Sequence, residues 1–207
     1  MQILAHRGFW KFKSDQNSLK AFELALTHNY GIETDLRDFC GKLVISHDPP
    51  RQEGILFEQF LSLYTQMAST SPLAINIKAD GLCSYVKPLL EKYGVENYFI
   101  FDMSFPDSIQ YVDSSLNVFA RVSEYESPTG TSELIAGIWL DSFSGEWFDI
   151  KMVNNLLAEF GYVAIVSAEL HGRDPIEQWE SLKLLSNTRN IYLCTDFPER
   201  AEEYFND

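Results

Sequence analysis

The stretch Ile32-Glu33-Thr34-Asp35-Leu36 places two acids at alternate positions of a short apolar and β-branched run. Side chains at positions i and i+2 of a strand point to the same side, so Glu33 and Asp35 point together and the other three side chains point the opposite way. This alternation predicts a strand that packs one face against helices and presents both carboxylates on its other face. This stretch therefore indicates an α/β fold.

Outward from this strand, apolar runs alternate with helical patterns along the chain. The predicted strands are residues 2–5, 32–36 with an extended continuation at 42–46, 73–77, 98–101, 118–122, 137–140, 162–166 and 191–194. Helical spacing covers residues 17–29, 56–67, 82–92, 106–111, 152–160, 175–185 and 198–205, with Gly31 expected to cap the first helix. About eight strand–helix units predict a compact (β/α)8 TIM barrel, a single domain over residues 1–207. An open doubly wound sheet is the alternative, and no GxGxxG or GxxxxGK motif supports it.

The overall charge restricts the classes of partner. The chain has 16 Lys and Arg against 30 Asp and Glu, a formal charge of -14, which disfavours nucleic acid and stable membrane association. A small anionic substrate stays compatible, because local cations can reverse the field in a cleft. Three widely spaced cysteines (Cys40, Cys83 and Cys194) and no long apolar run favour reduced thiols and a cytoplasmic location. The oligomeric state is not indicated.

Polar residues follow several predicted strands. His6 and Arg7 end the first strand, His47 ends the extended continuation of the second, and Asn76 and Lys78 lie on or just after the third. In a parallel barrel the carboxyl ends of the strands form the active-site face. Two neighbouring buried carboxylates are costly unless a cation compensates them, and a hard divalent ion such as Mg²⁺ or Ca²⁺ prefers their oxygen atoms.

Two histidines beside such a site indicate acid–base chemistry. A histidine titrates near neutral pH, so one of His6 and His47 can take a proton while the other gives one. Cleavage of a phosphodiester requires both transfers, and it also requires positive charge on the phosphate oxygens, which Arg7, Lys78 and a metal could supply. Residues 169–174 form a charged loop after the seventh strand that could aim Arg173 at a phosphate.

Five elements in order resemble the glycerophosphodiester phosphodiesterase family. They are Ala5-His6-Arg7-Gly8, Asn17-Ser18 with Ala21-Phe22, Ile32-Glu33-Thr34-Asp35, Val44-Ile45-Ser46-His47-Asp48, and a closing Cys194-Thr195-Asp196-Phe197-Pro198. The resemblance implies a (β/α)8 barrel that hydrolyses glycerophosphodiesters to glycerol phosphate and an alcohol with a divalent metal. It also implies that His6 and His47 form the acid–base pair, that Glu33 and Asp35 bind metal, and that Arg7 and Lys78 contact phosphate.

The chain departs from the family pattern at two places. The family has an E-x-K pair on the third strand, where this sequence has Asn76-Ile77-Lys78. An amide offers a metal an oxygen but no charge, so we expect a weaker site with Asn76 as a ligand. The span from Asp48 to Leu73 lacks the usual insertion after the second strand, which indicates an open cleft. Two alternatives stay open: a phospholipase C or sphingomyelinase D type cyclase that releases a cyclic phosphate, and a weakened barrel that only binds a phosphorylated ligand.

Overall fold

A computed structural model describes residues 1–127 and 134–206 and contains nine strands and seven α-helices within them. The strands are β1 (Gln2–His6), β2 (Gly31–Phe39), β3 (Lys42–Ile45), β4 (Leu73–Ile77), β5 (Tyr98–Phe101), β6 (Phe119–Val122), β7 (Gly137–Leu140), β8 (Val163–Val166) and β9 (Ile191–Thr195). The helices are α1 (Leu19–Thr27), α2 (Phe57–Gln66), α3 (Cys83–Lys92), α4 (Phe105–Asp113), α5 (Ile150–Phe160), α6 (Ile176–Leu182) and α7 (Pro198–Asn206).

The strand order is that of a (β/α)8 barrel. Hydrogen-bonded neighbours follow the order β5-β4-β2-β1-β9-β8-β7-β6, and β3 pairs with β2 off this path. A parallel bridge from Ile100 to Val118 extends the pairing of β5 beyond β4. The predicted fold class is thus confirmed over the open doubly wound alternative. The predicted continuation of the second strand is a separate strand, because β3 turns back and pairs antiparallel with β2 from Leu36↔Ile45 to Phe39↔Lys42.

The chain divides into two compact units. The N-terminal unit, Ala5–Val118, contains β2 to β5 and α1 to α4. The α1 helix begins where the Ser18 hydroxyl accepts a hydrogen bond from Ala21 N at 3.1 Å, and it buries Phe22 against Phe60 of α2. Gly31 does not cap this helix: Asn29 takes the left-handed conformation after it, with φ 58°, and Gly31 begins β2.

The C-terminal unit, Phe119–Asp207 with Met1–Leu4, contains β6 to β9 and α5 to α7. Its core surrounds the fully buried Trp179 of α6, whose indole N–H donates to the Ser167 hydroxyl at 2.9 Å. The free thiols of both units are Cys40, Cys83 and Cys194. Across the described part of the chain, no helix has the length and apolarity needed to cross a membrane.

Candidate active site

Glu33 and Asp35 lie on β2 of the N-terminal unit and are almost completely buried, with 2% and 1% of their surface exposed. Burial, and secondarily the neighbouring Asp35 carboxylate, raises the pKa of Glu33 to about 7, although His6, Lys78 and Arg7 act in the opposite direction. The pair therefore holds more negative potential than its protein neighbours neutralise. This is the electrostatic environment that a bound cation would relieve.

One oxygen of Asp35 contacts two residues of the segment that follows β1, through an ion pair with Arg7 and a hydrogen bond from Asn17. Arg7 Nε lies 2.9 Å from Asp35 Oδ2, and Asn17 Nδ2 donates to the same oxygen at 2.9 Å. Thr34 fixes the amide of Asn17 by donating its hydroxyl to Asn17 Oδ1 at 2.8 Å. Gly8 makes this path possible, because its φ is +85° and a Cβ there would lie 2.9 Å from the backbone of Ala21.

The next strand supplies an amide and an ammonium group. Asn76 of β4 pairs in register with Asp35, and Lys78 just beyond β4 places its Nζ 3.5 Å from Asp35 Oδ1. Lys78 N also donates to Leu36 O at 2.9 Å, which fixes the end of β4 against β2. Both Asp35 Oδ1 and Asn76 Oδ1 are buried without a hydrogen bond. Buried acceptors without a hydrogen bond are available to a ligand.

His6 is the last residue of β1 and adjoins the buried acids. Its Nε2 lies 3.9 Å from Glu33 Oε2, and 17% of its side chain is exposed. The indole N–H of Trp10 donates to His6 O at 2.9 Å and fixes the backbone at this point. The imidazole is thus next to a carboxylate and still within reach of solvent, as an acid or base requires.

His47 follows β3 and is more exposed than His6. Ser46 N donates to Asp35 O at 3.0 Å, and Arg37 Nε donates to His47 O at 2.9 Å, so the backbone of His47 is fixed beside the end of β2. His47 Nδ1 lies 2.8 Å from Asp48 Oδ1. This hydrogen bond is the main cause that lowers the pKa of Asp48, and Arg7 contributes at longer range. Asp48 can orient the ring and leave Nε2 for a substrate.

The structure brings six of the eight predicted site residues together: His6, Arg7, Glu33, Asp35, Asn76 and Lys78. His47 is fixed on the same unit through the end of β2. Arg173 lies in the C-terminal unit, where its guanidinium donates to Ser142 O and lies 3.3 Å from Glu146 Oε1. These contacts occupy two of its three nitrogens, so the assignment of Arg173 to phosphate stays a prediction.

Two residues near Asp35 had no role in the sequence-based site. Asn17 was part of a motif, but its hydrogen bond to Asp35 could not be inferred from spacing. Asp102 is the first residue after β5 and places Oδ2 3.4 Å from Lys78 Nζ. The rule that applied to the other strands, polar residues at carboxyl ends, could have found Asp102.

Glu33, Asp35 and Asn76 offer the oxygen atoms that a hard divalent cation prefers, but they are few. No group of three or more His, Cys, Asp or Glu side chains within residues 1–127 and 134–206 is arranged to hold a metal. The site has two carboxylates and one amide, and two of their oxygens, Asp35 Oδ1 and Asn76 Oδ1, are buried with no hydrogen bond. Oxygen donors of this kind match Mg²⁺ and Ca²⁺.

Among the comparisons with known proteins, the one with solved structures agrees with this fold. No protein-family model matches the chain, and no curated protein sequence matches it. Among solved structures, it is similar to a glycerophosphodiester phosphodiesterase from Parabacteroides distasonis, with TM-score 0.75 and 15% identity over 99% of this chain and 96% of that chain. An Oleispira antarctica phosphodiesterase in complex with sn-glycerol-3-phosphate gives TM-score 0.73 and 15% identity over 100% and 97%.

A third similar structure is that of an enzyme with a different activity. A Ca²⁺-dependent phosphatidylinositol-specific phospholipase C from Streptomyces antibioticus gives TM-score 0.61 and 10% identity over 99% of this chain and 95% of that chain. The fold that the resemblance implied is therefore that of solved phosphodiesterases. At identities of 15% and below, these similarities show the fold and do not show the reaction.

Proposed function

We propose that this protein is a metal-dependent phosphodiesterase that hydrolyses a glycerophosphodiester to glycerol phosphate and an alcohol. The observation that carries the proposal is the buried pair of Glu33 and Asp35 beside His6, Arg7 and Lys78. The phosphodiesterase folds found among solved structures support it, and one of them is in complex with sn-glycerol-3-phosphate. We further propose a cytoplasmic role in lipid or glycerol metabolism.

Glu33, Asp35 and Asn76 would hold the divalent cation, Mg²⁺ or Ca²⁺. When bound, it would supply positive charge to a phosphate oxygen and to the nucleophile. Asp35 Oδ1 and Asn76 Oδ1 support this assignment, because they are buried acceptors that lack hydrogen bonds. The raised pKa of Glu33 supports it as well, since a neighbouring cation would restore the ionised form.

The two histidines divide the proton transfers. His6 Nε2, next to Glu33 Oε2, can accept a proton from the attacking water, because the carboxylate stabilises the imidazolium that results. His47, oriented through Nδ1 by Asp48, can donate a proton from Nε2 to the leaving alkoxide. Arg7 and Lys78 neutralise the phosphate oxygens as negative charge develops on them.

An open groove beside His47 offers space for the alcohol part of the substrate. It has a volume of about 670 Å³ and runs along the loop after β3, lined by Ser46, Asp48, Pro49, Arg51 and Gly54 among others. An open groove of this size accepts leaving groups of different bulk. The substrate that we propose for this site is a soluble diester.

A screen of glycerophosphodiesters against Mg²⁺, Ca²⁺ and Mn²⁺ tests the proposal, with released glycerol phosphate as the readout. We expect turnover with at least one diester and metal, and its loss with a chelator. Binding of glycerol phosphate with no turnover in any combination would favour the weakened, ligand-binding barrel.

The phospholipase C type reaction is the second candidate, because a phosphatidylinositol-specific phospholipase C shares the fold. It differs in its first product, since attack by a hydroxyl of the substrate gives a cyclic phosphate. Phosphorus NMR of the first turnovers separates the two reactions: a cyclic ester has a distinct shift, whereas direct hydrolysis yields the monoester from the start.

A further inference from the structure

Three residues with a left-handed backbone contact Asp35 or its partner Lys78. Seven non-glycine residues of the described chain have a positive φ, and four of these, Asn29, Cys40, Ala68 and Ser115, occupy ordinary turns after helices or in the β2–β3 hairpin. The other three are Arg7 (φ 57°), Asn17 (φ 55°) and Asp102 (φ 76°). Conformations that are unfavourable for side chains cluster at functional sites, where the surroundings hold them in place.

The three residues share one target. Arg7 and Asn17 contact Asp35 Oδ2 directly, each at 2.9 Å. Asp102 contacts it through Lys78, whose Nζ lies 3.4 Å from Asp102 Oδ2 and 3.5 Å from Asp35 Oδ1. Lys78 is therefore shared almost equally between two carboxylates. Asp102 itself is 13% exposed in its side chain, so its charge acts in a partly desolvated environment.

The charge balance of the cluster depends on Asp102. Without Asp102, the Lys78 ammonium would pair with Asp35 alone and would offset more of the negative charge that a cation could bind. Asp102 adds a third acid and draws the Lys78 ammonium to one side of Asp35. Position 76, where a carboxylate could have served, is an asparagine.

We propose that Asp102 is a positioning residue that holds Lys78 between itself and Asp35, so that Asp35 Oδ1 retains affinity for a divalent cation. The same contact holds the ammonium group where a substrate phosphate can meet it. This inference rests on the proposed function, because it assigns Asp102 to the cation and phosphate site proposed above. A residue that only formed the turn after β5 would need the left-handed backbone but not the negative charge.

The variant Asp102→Asn separates charge from backbone, because asparagine tolerates the left-handed region as aspartate does. Calorimetric titration with Mg²⁺ and with Ca²⁺, in the absence of substrate, should show about tenfold weaker cation binding than in the wild type. Asp113→Asn is the matched control: it removes the same charge from an exposed position at the end of α4, and its cation affinity should equal that of the wild type.

A double-mutant cycle with Lys78→Gln tests whether the effect passes through Lys78. In the Lys78→Gln background, Asp102→Asn should weaken cation binding by clearly less than tenfold, whereas a general effect of charge would persist. Asp102→Gly is a second variant, and it removes the side chain that makes the left-handed backbone at this position unfavourable. It should be at least as stable to heat as the wild type and should still bind the cation weakly.

Each outcome decides the inference. Equal cation affinity in wild type and Asp102→Asn overturns it, as does a full tenfold loss that persists without Lys78. A wild type that binds the cation, with weaker binding in Asp102→Asn and no hydrolysis of any glycerophosphodiester, supports the inference and contradicts the proposed function. A wild type that hydrolyses a diester but binds the cation independently of Asp102 supports the function and overturns the inference. Absence of cation binding in the wild type overturns both.

Discussion

Two buried aspartates, Asp35 of the N-terminal unit and Asp141 of the C-terminal unit, occupy contrasting environments. Asp141 follows β7, and its Oδ1 meets both His171 Nε2, at 2.7 Å, and Ser142 N, at 2.8 Å. Asp35 Oδ2 accepts a hydrogen bond from Asn17 and pairs with Arg7, whereas Asp35 Oδ1 is buried without a hydrogen bond and lies 3.5 Å from the shared ammonium of Lys78.

This difference separates a structural network from a binding site. Burial of a charge is tolerated where hydrogen bonds complete it, and the Asp141 network meets that condition. Around Asp35 the acceptors exceed the aligned donors, and the pKa of the adjacent Glu33 is raised by burial and by Asp35. The free energy left unrelieved at Asp35 is available to a cation.

Alanine substitution of the histidines should give the largest contrast between the two regions. His6→Ala and His47→Ala should each lower kcat by about 10³-fold with little change in stability, because each removes a proton transfer. His171→Ala should instead destabilise the fold by about 1–3 kcal/mol and keep most of the turnover, because it leaves Asp141 short of a partner. Steady-state kinetics and urea unfolding measure both. Loss of turnover in His171→Ala would assign the Asp141 network to the chemistry.

The pH dependence of stability tests the unrelieved charge at Glu33. Its pKa is about 7 in the fold against 4.5 for the ordinary group, so its contribution is fully present below about pH 4.5 and is lost as the pH rises through about 7. The wild type should therefore lose about 2–3 kcal/mol between pH 5 and pH 8 relative to Glu33→Gln. Urea unfolding at both pH values measures this, and saturating Mg²⁺ or Ca²⁺ should reduce the loss. A pH-independent difference between the two proteins would contradict the assignment.

Asn76→Asp adds a negative charge at the one neutral residue of the proposed cation site. The variant should bind the divalent cation about tenfold more tightly and be less stable without it, because a third buried carboxylate is costly until a cation compensates it. Calorimetry and thermal unfolding with and without metal measure the two effects. Asn155→Asp, on the exposed side of α5, provides the same charge change as a control. Unchanged affinity in Asn76→Asp would remove position 76 from the cation site.

Arg173→Ala should have the smallest effect of the series. Its guanidinium already contacts Ser142 O and Glu146, so we expect a rise in KM of about threefold with kcat preserved. Arg189→Ala removes the same charge from an exposed position and should leave KM unchanged. A rise in KM as large as that of Arg7→Ala would place Arg173 among the residues that bind phosphate directly.

The parts of the molecule that sequence could predict are those governed by local pattern. The strands Leu73–Ile77, Tyr98–Phe101 and Gly137–Leu140 have the predicted bounds, because apolar runs between turn residues define them. The alternation of acids on β2 likewise predicted that Glu33 and Asp35 share a side. The antiparallel return of β3 was missed, since an extended pattern does not show which way a strand runs.

The strand-end rule could have singled out Asp102, but the side-chain contacts of Asn17 and Asp102 could not be predicted from sequence periodicity. Both residues take the left-handed backbone, with φ 55° and 76°, and their side chains contact Asp35 and Lys78 respectively. Periodicity assumes regular backbone angles, so it gives no direction for a side chain at such a position. The pairing of Arg173 with Glu146 depends on the path of two loops, which spacing does not encode.

Phosphorus NMR can show whether the buried acid Glu33 is needed for hydrolysis of the diester. A glycerophosphodiester that is turned over in the metal screen is incubated in ¹⁸O-enriched water with the wild type and, in parallel, with Glu33→Gln. The wild type should form glycerol phosphate that carries one solvent oxygen, and Glu33→Gln should form little or none. Equal conversion by Glu33→Gln, or no conversion by the wild type with any divalent metal, would contradict it.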